Sequence, residues 1–265
     1  MKKYLCFPAL ALAGGAAAFV LRLQFCRTGF ESGTGLPVPG NLYGWGSLLL
    51  LAVLAVLTVV LSRKLPDEKG HDSLPFAEAF LSKSAVPLTI LVTGIFLLAA
   101  SGLYDLYSGL LVNASRMEII VGVLTVLSAA CLFSVVPLCR KYPDKEPCLT
   151  APNALLVPVC YLVVRLVLTY RVDSVNPSLS LYYVEILSLV FLTLGFYRLS
   201  SFAFQVGRTR RFALYAVCAI ILCIATLADG HGLSATLLYA GGAATLLGFL
   251  LLRLEALASI WSSEP

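Results

Sequence analysis

The stretch LLVPVCYLVVRLVLTYRVDSVNPSLSLYYVEILSLVFLTLGFYRLSSF, residues 155–202, decides the fold. Two apolar runs are joined by a polar connector, Arg171-Val172-Asp173-Ser174-Val175-Asn176-Pro177-Ser178. Each run is continuous rather than alternating and about as long as the 20 or so residues that carry a helix across a bilayer. A barrel strand would alternate, so the runs read as helices whose backbone polar groups are satisfied internally. Each also carries one charge. Arg165 stands six residues before Arg171, and Glu185 seven residues after Ser178. At the rise of an α-helix, both lie roughly 9 to 10 Å below the same membrane face. Opposite charges at matched depth on adjacent helices predict an ion pair.

The rest of the chain has the same character. Of 265 residues, 59% are hydrophobic and 12% charged, about half the charge of a typical soluble domain, and the mean hydropathy is +0.91. Apolar runs bounded by charge, Pro or Gly fall at 4–23, 42–62, 86–106, 118–138, 154–171, 179–201, 212–229 and 233–253. The fold class is therefore an all-α integral membrane bundle of about eight transmembrane helices, forming one polytopic domain over 1–265 with no soluble domain. Met1-Lys2-Lys3 and the apolar residues after them have the shape of a signal peptide, but the run continues to Arg22 and is read as an uncleaved first span. Basic residues cluster in alternate loops, including Arg63, Lys64, Arg140, Lys141, Arg208, Arg210 and Arg211, and Arg253 is counted with them. By the positive-inside rule both termini are cytoplasmic and the protein is multi-pass in the plasma (inner) membrane.

That clustering also accounts for the net charge of +5, so nucleic acid is excluded as a partner. The eight cysteines form no CxxC and no Cys/His spacing suited to zinc, and most stand inside apolar runs. No metal, cofactor or disulfide framework is expected. There is no HExxH, GxSxG, Walker or Rossmann pattern, and the chain is read as a non-enzyme. His71 and His231 are expected on opposite faces, and Asp229-Gly230-His231 reads as a turn.

The outer half of the membrane collects further charge: Arg22 ends span one, Asp105 nears the end of span three, Glu118 opens span four and Asp229 closes span seven. If span three runs on through Val112, Asp105 drops to about 10 Å below the surface, level with Arg165 and Glu185. Tyr161, Arg165 and Thr169 share one helix face at spacing four, and Tyr182, Glu185 and Ser188 another at spacing three. The candidate site is thus a charge layer of Arg165, Glu185, Arg22, Asp105, Tyr161 and Tyr182. Charge in hydrocarbon costs at least about 2.5–3.5 kcal/mol, so it must face a partner, the bundle interior or water. Two readings follow. In one, Arg165 anchors a small polar or anionic solute between tyrosine walls; in the other, Arg165 and Glu185 are a structural bridge.

Three smaller features add expectations. The loop 63–85 contains a helix start at Asp72-Ser73-Leu74-Pro75, then Phe76, Phe80 and Leu81 on one face, which predicts a short helix on the membrane surface. Ala240, Ala244 and Gly248 form a ridge of small residues for internal helix packing. Val20-Leu21-Arg22-Leu23 echoes Val163-Val164-Arg165-Leu166 at an offset of 143, which would divide the chain into two four-span halves. Functionally, the leading expectation is a small-solute transporter or a membrane subunit of one. The alternative is a non-catalytic sensory or accessory protein whose loop 63–85 and turn Arg208-Thr209-Arg210-Arg211 dock a membrane or cytoplasmic protein partner.

Overall fold

A computed structural model describes residues 5–31, 38, 40–65, 76–81, 84–112, 115–140, 151–173 and 179–262. The described chain is helical: α1 (Cys6–Thr28), α2 (Leu42–Ser62), the four-residue α3 (Phe76–Ala79), α4 (Ala85–Tyr107), α5 (Arg116–Val135), α6 (Ala151–Asp173), α7 (Leu179–Ala203), α8 (Thr209–Thr226) and α9 (Leu233–Ser262). A π turn over Ser108–Val112 prolongs α4, and 3-10 turns over Val136–Cys139 and Leu227–Asp229 prolong α5 and α8. Eight of these helices are long and apolar enough to cross a membrane. Local signals agree with the boundaries: Asn41 caps α2 by accepting from the backbone N–H of Tyr43 and Gly44, and Ser84 caps α4 through Val86.

Helices α4 to α9 close into a ring in which each packs on the next and α9 returns to α4. α1 lies outside the ring against α8, and α2 lies against α1 and α8. α8 is buried on almost every side, whereas α2 buries little beyond Ser47, Leu54, Thr58 and Ser62. The first four spans therefore do not pack as the last four do, and the two four-span halves that the echo would define do not repeat one packing. The echoed tetrads share a need rather than an ancestor's geometry, since each arginine must find a carboxylate on another helix.

The closest approach in the ring is between α4 and α9. A Cβ added at Gly94 would stand 2.5 Å from the backbone N of Thr245, and one at Gly241 2.9 Å from the carbonyl O of Gly94. One at Gly248 would meet the backbone of Leu91 at 2.8 Å. The small-residue ridge is thus used for internal packing, centred on Gly241, Ala244 and Gly248, one face round from Ala240. Without a hydrophobic force between helices in lipid, such backbone proximity gives the dispersion contacts that hold spans together.

One end of the bundle is sealed. Phe76, Ala79 and Phe80 are buried in the core, and the Phe80 ring meets those of Phe202, Phe249 and Phe212 at 5.2, 5.7 and 6.0 Å. Arg253, 1% exposed, donates from Nε to Thr209 Oγ1 at 2.9 Å and from Nη1 to the Ala79 carbonyl at 3.0 Å. Its guanidinium lies 5.3 Å from the Phe202 ring. This corrects two expectations. The apolar face of 76–80 enters the bundle instead of lying on a membrane surface, because Arg253 takes the end of α3 inward. Arg253 is an internal residue of a helix that runs on to Ser262, not a loop charge. The helix start at 72–75 and His71 lie outside the described residues.

Candidate functional site

At the opposite end, α1, α4, α6 and α8 finish and α5, α7 and α9 begin. α4 does continue through Val112, and Asp105 is consequently buried, 8% exposed. α1 continues past Arg22 to Thr28, which places Arg22 inside the packing at 2% exposure. Neither Arg22 nor Asp105 marks a helix end, because each finds a partner inside.

Arg22 Nε donates to Asp229 Oδ1 at 2.6 Å, and its guanidinium lies 5.3 Å from the Phe25 ring and 5.2 Å from that of Tyr183. Cys26, one turn along α1, donates to the same Asp229 oxygen at 3.3 Å. Asp229 closes the 3-10 turn and Gly230 follows in the left-handed region at φ 68, a conformation glycine adopts without strain. The chain then doubles back, so that His231 Nε2 stands 3.8 Å from Asp229 Oδ2 and 3.5 Å from Glu185 Oε2. The other Glu185 oxygen accepts from the Tyr239 hydroxyl at 2.7 Å.

Arg165 pairs with Asp105, Nη1 to Oδ2 at 3.6 Å, and not with Glu185 as matched depth predicted. Depth along a helix is legible in a sequence, but the direction a face takes around the ring is not. The ring turns Arg165 toward α4 and Glu185 toward α9. Ser234, at the start of α9, faces Asp105 and accepts through its carbonyl from Ser101 on α4 at 2.9 Å, tying the two helices beside the pair.

These groups surround an open cavity of about 820 Å³ walled by α4, α5, α6, α7 and the 231–234 turn. Its polar lining includes Asp105, Glu118, Arg165, Arg171, Glu185 and His231. Arg22, Asp229 and Tyr239 stand behind the wall. The contacts range from hydrogen-bond contact, 2.6 Å for Arg22–Asp229 and 2.7 Å for Tyr239–Glu185, to 3.5–3.8 Å for Arg165 with Asp105 and His231 with Glu185 and Asp229. Arg165 Nε, Asp105 Oδ2, Asp229 Oδ2 and His231 Nε2 are shielded from solvent and have no hydrogen-bond partner among the described residues.

The two expected tyrosines fall elsewhere. Tyr161 is buried one turn along α6 from Arg165, beside Thr125, in a small separate void shared with Ser128 and Pro158. Tyr182 is half-buried and outside the cavity lining, and its neighbour Tyr183 is the ring that meets Arg22. The layer thus brings together Arg165, Asp105 and Glu185 at one cavity and Arg22 just behind it. His231 and Tyr239 were not foreseen. The signal for His231 was its place two residues after Asp229; nothing in the sequence singles out Tyr239.

Among the described residues no group of three or more His, Cys, Asp or Glu converges on a metal-binding geometry. The chain matches no protein-family model, no curated protein and no solved structure.

Proposed function

We propose that the chain is a multi-pass membrane protein of the plasma (inner) membrane that carries a small polar solute, alone or as the membrane subunit of a transporter. Both termini face the cytoplasm and the charged cavity opens outward, as the distribution of basic loop residues supports. The observation that carries this reading is the spacing of the charges at the cavity wall. A purely structural layer would close to contact, as Arg22 and Asp229 do. Arg165–Asp105 and His231–Glu185 stop at 3.6 and 3.5 Å beside an open volume of about 820 Å³ that all four side chains line, the arrangement of a site that exchanges its own contacts for those of a solute.

Below the cavity the path is blocked by the side chains around the Tyr161 void, including Leu132, Leu192 and Phe196. On this reading the open cavity and the packed side chains below it are the outward-open, inward-closed state of an alternating-access cycle. Pro158 lies inside α6 beside that void. Its ring removes one backbone hydrogen bond and makes this the place where the helix can bend. The accessory reading is less well supported, because the Phe76 and Phe80 side chains that would offer an apolar dock are already in the core.

The test is a thermal-unfolding screen of the detergent-purified protein against a library of small polar metabolites, followed by uptake of a labelled hit into proteoliposomes. A solute that raises the wild-type midpoint but not that of Arg165→Ala, and accumulates in wild-type vesicles only, is the expected result. A library in which no compound shifts the wild type overturns the proposal.

A further inference from the structure

We infer that the solute is a small zwitterion, bound with its carboxylate on Arg165 and its ammonium on Asp105. The inference rests on the solute-carrier reading and adds the substrate class. Among the described residues three carboxylates, Asp105, Glu118 and Glu185, line the cavity with two guanidinium groups, Arg165 and Arg171, and the imidazole of His231. A lone anion would match Arg165 but bring a second negative charge up to Asp105. A lone cation would match Asp105 but offer Arg165 nothing. The two side chains, 20% and 11% exposed, stand as one loose pair at 3.6 Å on the cavity wall. A molecule carrying one anionic and one cationic end offers a partner to each at once.

The energetics favour the same class. An ion moved from water into a helical bundle loses hydration that one opposite charge rarely returns in full. A zwitterion brings no net charge, so each of its ends is repaid locally and the field of the layer is undisturbed. Glu185 is held by Tyr239 at 2.7 Å and His231 at 3.5 Å, whereas Asp105 is the carboxylate that stands beside Arg165 on the cavity wall. Apolar lining at Val121, Leu168 and Leu233 takes the hydrocarbon part of the solute.

The experiment compares three matched probe sets on the purified wild-type protein: L-alanine and L-leucine; propionate and 4-methylpentanoate; ethylamine and 3-methylbutylamine. At saturating concentration a zwitterion is expected to raise the unfolding midpoint by about 2–4 °C or more, with the singly charged sets giving under a third of that shift. Asp105→Asn should abolish the zwitterion shift, and the wild-type panel stands by itself if that variant folds poorly. Equal or larger shifts with the carboxylates or the amines overturn the zwitterion while leaving solute binding intact. No shift from any of the three sets overturns the zwitterion, and the solute reading then stands or falls by the wider metabolite screen.

Discussion

Both ends of this bundle carry arginine inside the packing, held in different ways. At the sealed end Arg253 is held by a hydroxyl, a backbone carbonyl and an aromatic face, among five packed phenylalanines. At the other end Arg22 and Arg165 each face an aspartate, but only Arg22 touches its partner. A buried charge in hydrogen-bond contact is a fastener. One held a fraction of an ångström beyond contact, at the wall of an open space, is positioned for something else.

Four single substitutions and one double variant break or sharpen this contrast. Arg22→Leu leaves Asp229 uncompensated behind the cavity wall and should cost about 3–5 kcal/mol of stability, read as loss of folded monodisperse protein in detergent. Arg22→Leu with Asp229→Leu should recover most of it; a double variant as poor as the single would show that the pair is not a fastener. Phe80→Ala, at the sealed end, should cost about 3–5 kcal/mol through the hole it leaves among Phe202, Phe212 and Phe249. A wild-type midpoint for Phe80→Ala would return residues 76–80 to the surface position expected from their pattern.

The cavity-facing variants should be milder. Arg165→Ala should cost about 1 kcal/mol, because its pair is loose and its side chain is 20% exposed. A loss as large as that of Arg22→Leu would make the whole layer structural and remove the main support for a solute site. His231→Gln should shift stability by less than about 1 kcal/mol, since it keeps a donor near Glu185. Its effect should appear instead as weaker solute-dependent stabilisation, and unchanged stabilisation would detach His231 from the site.

The sequence reading succeeded wherever hydrophobicity alone decides. Eight runs became eight helices, with 42–62 matching α2 from end to end. It failed where a charge was taken as a boundary: Arg22 and Arg253 were read as marking ends, yet α1 and α9 pass through both, because paired charges are tolerated inside a bundle. The depth of Asp105 followed from counting residues once the span was continued to Val112. The choice of its partner did not, since a one-dimensional pattern holds height but not bearing around a ring. The face formed by Phe76 and Phe80 was legible too. Its destination was not, because a membrane surface and a protein core reward an apolar face alike. His231 was dismissed as part of a glycine turn, although Gly230 is what folds the chain back and returns the imidazole to the carboxylates.

The seal around Arg253 also dictates an order of assembly. The contact from Arg253 to Ala79 joins residues 174 positions apart, and the rings that receive Phe80 all belong to later helices. At ribosomal rates the chain needs roughly 10–35 s to make that stretch. Until then Phe76 and Phe80 have only the rings of Phe202 and Phe212 to meet, and Ala79 lacks its arginine donor. Arrival of α9 therefore completes the seal, long after the segment it closes over has been made.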